Sequence, residues 1–290
     1  MKRFIACASL FLIFATAVAQ QKAGPYKVNK EFNLSPTGKL TLRCSDANVS
    51  IKGTNRTNAH VKIYREVTGK GLWINNRDEF YVDVQELNGD LLVEERLSDA
   101  STFLFFGYIN QKHTIDIELP KTASVEIKGD DGEILIHHVD GSIAVNVEDA
   151  DVELVGCSGN EFSFDMEDGD LSMDGGAGKV EVNAVDGSVG ITNGKFTHVD
   201  VRKSDGNIKV ATSIANEGRY YINAGDGLVS FTVLNGGGTF DVRHGDRRVT
   251  AEGNFNRVHE TEGRSRFELA NGTAKVDVRA DDARVRLIQN

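Results

Sequence analysis

The sequence predicts an all-β chain wound as a single-stranded parallel β-helix, a solenoid, with right-handed coils and an irregular capping section at its N-terminal end. Three observations carry this expectation. A phrase of Asp-Gly followed by apolar residues at alternate positions recurs at Asp131-Gly132, Asp140-Gly141, Asp168-Gly169, Asp186-Gly187, Asp205-Gly206 and Asp226-Gly227. The principal turns, at Asp131, Asp149, Asp168, Asp186, Asp205 and Asp226, are spaced 18, 19, 18, 19 and 21 residues apart, a period typical of solenoids. A second strand phrase falls near the middle of each step, as in Glu161-Phe162-Ser163-Phe164, Lys179-Val180-Glu181-Val182, Thr239-Phe240-Asp241-Val242 and Arg266-Phe267-Glu268-Leu269.

Each coil should therefore hold two short strands and two turns. Side chains alternate between the two faces of a strand, so Ile134, Ile136, Ile143, Val145, Val152, Leu154, Phe162, Phe164, Val180 and Val182 are assigned inward. Gly supplies positive φ at the turns, and Asp can bond a downstream amide. A meander of tight hairpins is the competing fold. The constant coil length favours stacking of equivalent turns, each strand pairing with its counterpart one coil away. Right-handed coiling follows from the usual hand of parallel crossovers.

From the start of the chain, residues 1–19 read as a signal peptide. Lys2 and Arg3 precede the apolar run Phe4 to Phe14, and Ala17-Val18-Ala19 supplies the small residues for cleavage before Gln20. Cys7 precedes most of the apolar run, where a lipid-bearing cysteine would follow it. No later stretch is long and apolar enough to cross a bilayer as a helix. Loss of Lys2 and Arg3 carries the formal charge from −10 to −12, which disfavours nucleic acid as a general partner. Cys44 and Cys157 remain, and free buried thiols are favoured over a disulfide between them.

The mature chain, residues 20–290, is expected to form one domain: irregular coils and a cap over 20–128, then regular Asp-Gly coils over 129–290. Lys39 to Cys44, Asn48 to Ile51 and Ala59 to Tyr64 alternate as strands. Leu72 to Phe80, with Trp73, is expected to form a short helix. Phe80 to Val84 and Asp90 to Glu94 resume strand character. The apolar stretch Thr102 to Ile109 is expected to fold over the open end of the core, since large exposed apolar patches are rare. His113 to Pro120 is a strand closed by proline.

The Ile117-Glu118-Leu119-Pro120 strand, the Ser124-Val125-Glu126-Ile127 strand and the serial Asp-Gly coils together resemble the bacterial putative-adhesin family of unknown function, over about residues 30–290. The resemblance implies an exported parallel β-helix with a role in adhesion. It implies no catalytic residues. No carboxy-terminal sorting segment is evident.

The strongest candidate for chemistry is an acidic ladder of Asp131, Asp149, Asp168, Asp186 and Asp205. Stacked coils would bring these carboxylates about 4.8 Å apart along one edge, where calcium suits clustered oxygens. The nonapeptide calcium pattern of secreted repeats is absent, so solvated turns are the preferred reading and no cofactor is expected. His137 and His138 are adjacent, hence on opposite strand faces. His198, His244 and His259 lack ligand spacing. Gly236-Gly237-Gly238 precedes a strand and reads as a turn. Met166 and Met173 fall on the inward register. Arginines concentrate toward the C-terminus, from Arg243 to Arg286; this reads either as a mixed-charge solvated surface that limits edge pairing or as an end that contacts an acidic polysaccharide or partner.

With no catalytic constellation, the leading expectation is a non-enzymatic exported scaffold binding a surface glycan or protein through its solenoid faces. A β-helix polysaccharide lyase or hydrolase and a structural envelope protein are the alternatives.

Overall fold

The computed structural model describes residues 24–74, 80–97, 104–245 and 249–290. The expected leader lies outside them. The described residues contain 22 strands and no helix, wound as a parallel β-solenoid. Each coil contributes one strand to face A, turns at the Asp-Gly edge, and contributes a second strand to face B.

The register on face A runs Val125↔Ile143↔Phe162↔Val180↔Val199↔Tyr220. On face B it runs Ile134↔Val152↔Leu171↔Val189↔Ile208↔Val229. Both series step by 18, 19, 18, 19 and 21 residues, as the turn spacing requires. All ten residues assigned inward are buried. The core between the faces is a stack of aliphatic pairs with aromatic layers at Phe162, Phe164, Phe196, Tyr220, Phe231, Phe240 and Phe267. The Tyr220 hydroxyl donates to the Phe196 carbonyl and accepts from the Ala215 amide at 2.8 Å, so its burial leaves no polar atom unpaired.

Coil stacking departs from chain order at both ends. Tyr220 pairs with Val276, not with Phe240, and Phe240 lies on the far side of Val276. Face B repeats this: Val229 and Val249 flank Val285. The last coil in sequence is thus inserted between the two before it. The first coil is treated alike, with Leu40 between Leu91 and Val125, and Val49 between Ile115 and Ile134.

Antiparallel strands then close the stack. Arg264–Leu269 and Asn256–Thr261 cover Gly238–His244, and Phe80–Leu87 covers Asp90–Leu97. The phrase at Arg266 to Leu269, expected within a regular coil, therefore belongs to an end hairpin. The outermost Asn256–Thr261 strand is exposed throughout and carries Arg257, His259 and Glu260, charges that discourage edge-to-edge pairing.

One local expectation is overturned. Trp73 lies in the strand Ala59–Ile74, not in a helix; residues 75–79 fall outside the described ones. From Leu104 the apolar stretch is also strand, paired antiparallel with Ile74 and the residues before it; residues 102 and 103 are outside the described ones. Long-range pairing between Ala59–Ile74 and Leu104–Pro120 decides both segments, and neither signals its partner locally.

Candidate binding face and acidic edge

The outward residues of face A form a grid because parallel strands in register align every second side chain. One row reads Lys179, His198, Arg219, Lys275; the next Glu181, Asp200, Tyr221, Asp277, Asp241; the third Asp165, Asn183, Arg202, Asn223, Arg279, Arg243. Bidentate bonds at 3.0 and 2.9 Å join Arg202 to Asp200. Asp241 is clamped by Arg264 and Arg266, whose guanidinium groups hold its carboxyl down to about 2. Both clamp residues lie on the neighbouring antiparallel strand.

An open cavity of about 320 Å³ interrupts this grid, lined by Asp165, Glu167, Asn183, Val185, Arg202, Lys203, Ser204 and Asn223, with Met166 and Ala184. Met166, Ala184 and Lys203 occupy one inward register position. The short Ala184 between two long side chains lowers the floor. Carboxylates, amides, a guanidinium and a hydroxyl converge there, an assortment suited to a ligand rich in hydroxyl groups.

The acidic edge forms as expected. Asp131, Asp149 and Asp168 are in direct register. The turn backbone continues the ladder: Asp186 donates to the Glu167 carbonyl at 2.8 Å, Asp205 to Val185 at 2.9 Å and Asp226 to Ser204 at 3.0 Å. The carboxylates of Asp131, Asp149, Asp168, Asp186 and Asp205 are exposed. Neighbouring acids serve the turns directly. Asp151 accepts the Asp170 amide at 2.9 Å, and Asp170 accepts the Ser188 amide at 2.7 Å. Among the described residues, no three His, Cys, Asp or Glu side chains converge as a metal-holding group.

Lys203, which was not among the expected site residues, lies beneath this edge. It is only 4 % exposed, and its Nζ donates to the Val185 carbonyl at 3.4 Å. Burial pushes its pKa down, while Asp186, Asp205, Asp170 and Asp168 oppose that shift. A protein cation thus faces the acidic row from within. Its inward alternation was the available signal: Val199, Val201 and Lys203 share one face.

The histidines separate. His138 takes a left-handed φ of 55° at the strand end, and its ring stacks on His137 with centroids 6.2 Å apart. The expected opposite-face placement fails because the strand ends at His137. His244 is bound to the Gly245 carbonyl and Ser265 hydroxyl. His198 sits on the face A grid, and His259 on the outermost strand. A pair the sequence did not suggest, His113 and Glu95, is buried with Nε2 and Oε1 2.7 Å apart. Cys44 is partly buried and Cys157 buried, and both thiols are free. Burial pushes Cys44 up to about 12 and raises Cys157. Gly236 adopts the expected turn at φ 97°, and Met166 and Met173 are core.

Among solved structures, the chain is similar to a putative cell adhesion protein from Clostridium sporogenes, at 12 % identity over 92 % of this chain and 100 % of that one, with a TM-score of 0.32. A putative adhesin from Bacteroides fragilis is 10 % identical over 91 % and 97 % of the respective chains, with a TM-score of 0.40. One from Parabacteroides merdae is 13 % identical over 90 % and 96 %, with a TM-score of 0.27. No curated protein matches the chain. Residues 37–287, nearly the whole solenoid, match the family model described as Toastrack DUF4097, and the chain belongs to that family.

Proposed function

We propose that this protein is an exported, non-catalytic scaffold that binds a cell-surface glycan or protein through the outer faces of its solenoid. The observation that carries the reading is the face A grid with its open polar cavity, where Asp165, Asn183, Arg202 and Asn223 stand on four successive strands. Repeating coils offer an extended surface on which a repeating ligand can make the same contact several times. The leader-like first 19 residues agree with an exported role. The test is a pull-down from intact cell envelope with wild type and with Asn183→Trp, which fills the cavity from an exposed position. Envelope material retained by wild type and lost by the variant supports the reading. Equal retention, or recovery of only the protein itself, refutes it in favour of a structural role.

A hydrolase is the second reading, favoured by Asp165 and Glu167, which line the same cavity two residues apart on one strand. Residues two apart on a strand project from the same face, so both carboxyl groups stand on the cavity side, as paired-carboxylate chemistry requires. Release of reducing ends from a glycan panel, abolished by Glu167→Gln, would establish it.

A further inference from the structure

We propose that the Tyr221 region of face A is a binding site for an anionic polysaccharide, with Arg219, Lys275, Arg279 and Arg243 supplying the charge and Tyr221 a stacking platform. The proposal rests on the binding-scaffold reading and names its ligand class.

The site exists only because the last coil is inserted out of order. That insertion places Lys275 beside Arg219, and Arg279 between Asn223 and Arg243. Two cationic rows result, set two residues to either side of Tyr221 and running across the strands. The four cations are exposed, and none has an ion-pair partner among the described residues. The nearby acids are differently placed: Asp200 is held by Arg202, and Asp241 by Arg264 and Arg266. Asp277, opposite Tyr221, is left to accept sugar hydroxyls. Locally the face is positive on a chain of net charge −10.

Tyr221 organises the patch. The guanidinium carbons of Arg202 and Arg279 lie 5.6 and 5.4 Å from its ring centroid. Stacking of this kind fixes the Arg279 guanidinium while leaving its N–H edge free for a carboxylate or sulfate, whereas the edge of Arg202 is taken by Asp200. Along each row the cations recur at the strand spacing of about 4.8 Å, a stride comparable to one sugar unit. A thin polyanion lying along the rows meets cations repeatedly. A duplex nucleic acid, broad and densely charged, would extend onto the acidic remainder of the chain and be repelled.

The test uses the mature protein and immobilised polygalacturonate, hyaluronan and dextran sulfate, with neutral dextran and duplex DNA as comparisons. Wild type is expected to bind at least one anionic glycan, to ignore neutral dextran, and to weaken as salt rises. The double variant Arg279→Gln/Arg243→Gln should lose about tenfold or more in affinity, taking each exposed charge contact near the upper end of its usual worth. Lys52→Gln/Lys62→Gln, at the opposite end of the solenoid, should bind as wild type. Undiminished binding by the arginine variant, equal binding to neutral dextran, tighter binding to DNA, or no binding to any anionic glycan each overturns the inference. If wild type still retains envelope material after such a result, the scaffold reading stands and only the ligand class was wrong.

Discussion

Replacing Gly187 with alanine tests the stacked Asp-Gly edge at its tightest point. Gly187 has φ +92°, and a methyl carbon there would lie 2.7 Å from the carbonyl carbon of Gly169 in the adjacent coil, closer still to its oxygen. Ordinary carbon contacts need about 3.5–4.0 Å, so the turn must shift by roughly 1 Å. Two hydrogen bonds bracket it, from the Asp186 amide to the Glu167 carbonyl at 2.8 Å and from the Ser188 amide to Asp170 at 2.7 Å. Losing both costs about 2 kcal/mol, and positive φ at an alanine adds about 1–2 kcal/mol. The expected destabilisation is about 3–4 kcal/mol. Gly190 is the control, because its added methyl would meet only the Leu171 carbonyl oxygen at 3.6 Å, with no positive φ. Gly190→Ala should be neutral, or stabilising by about 0.5 kcal/mol through the unfolded state. Urea unfolding followed by circular dichroism measures both, provided the slope with denaturant is unchanged. A Gly187→Ala cost below about 1 kcal/mol, or one equal to that of Gly190→Ala, would refute the close stacking of these turns.

Three further outcomes are expected. Val182→Asp should cost upward of about 4 kcal/mol, since it removes a buried apolar side chain lying between Phe164 and Val201 and inserts an unpaired charge. Glu181→Lys, on the outward side of the same strand, should leave the melting midpoint nearly unchanged, and the reverse ranking would shift the register by one residue. Asp241→Asn should cost about 1–2 kcal/mol at neutral pH, after screening around the half-exposed arginines, because the carboxyl is held at about 2 against an ordinary 3.8. A depressed carboxyl stabilises fully above its unfolded value, so the gap between wild type and variant should be constant from neutral pH to about 4.5 and close as pH falls toward 2; a gap that persists at pH 2 would exclude the arginine clamp as its source. Millimolar calcium should leave the melting temperature where chelator leaves it, because turn amides and Lys203 already face the acidic edge. A calcium-specific rise, lost in Asp168→Asn/Asp186→Asn, would instead assign the edge as a cation site.

The sequence by itself determined the repeating part of the molecule. Coil period, strand facing and turn position are local properties. An Asp-Gly turn shapes only its neighbouring residues, and an inward side chain announces itself within two positions. Hence the turn spacings reappear unchanged as strand register on both faces, and Val180 and Val182 lie where alternation placed them. The same locality misled at His138, where alternation was carried one residue past the strand end, and at Trp73, where a broken pattern suggested a helix although its strand partner lies far along the chain.

Only the tertiary structure decided which coils are neighbours at the ends. Stacking two coils depends on matched width and apolar faces, which many coils share, so chain order does not fix it. Inserting Ala274–Ala280 beside Arg219–Ala224 assembled the Tyr221 patch from residues more than fifty positions apart, with no local mark in either segment. The pairing of His113 with Glu95 and the placing of Lys203 beneath four aspartates arise in the same way. Charge is felt through space, and the sequence records only distance along the chain.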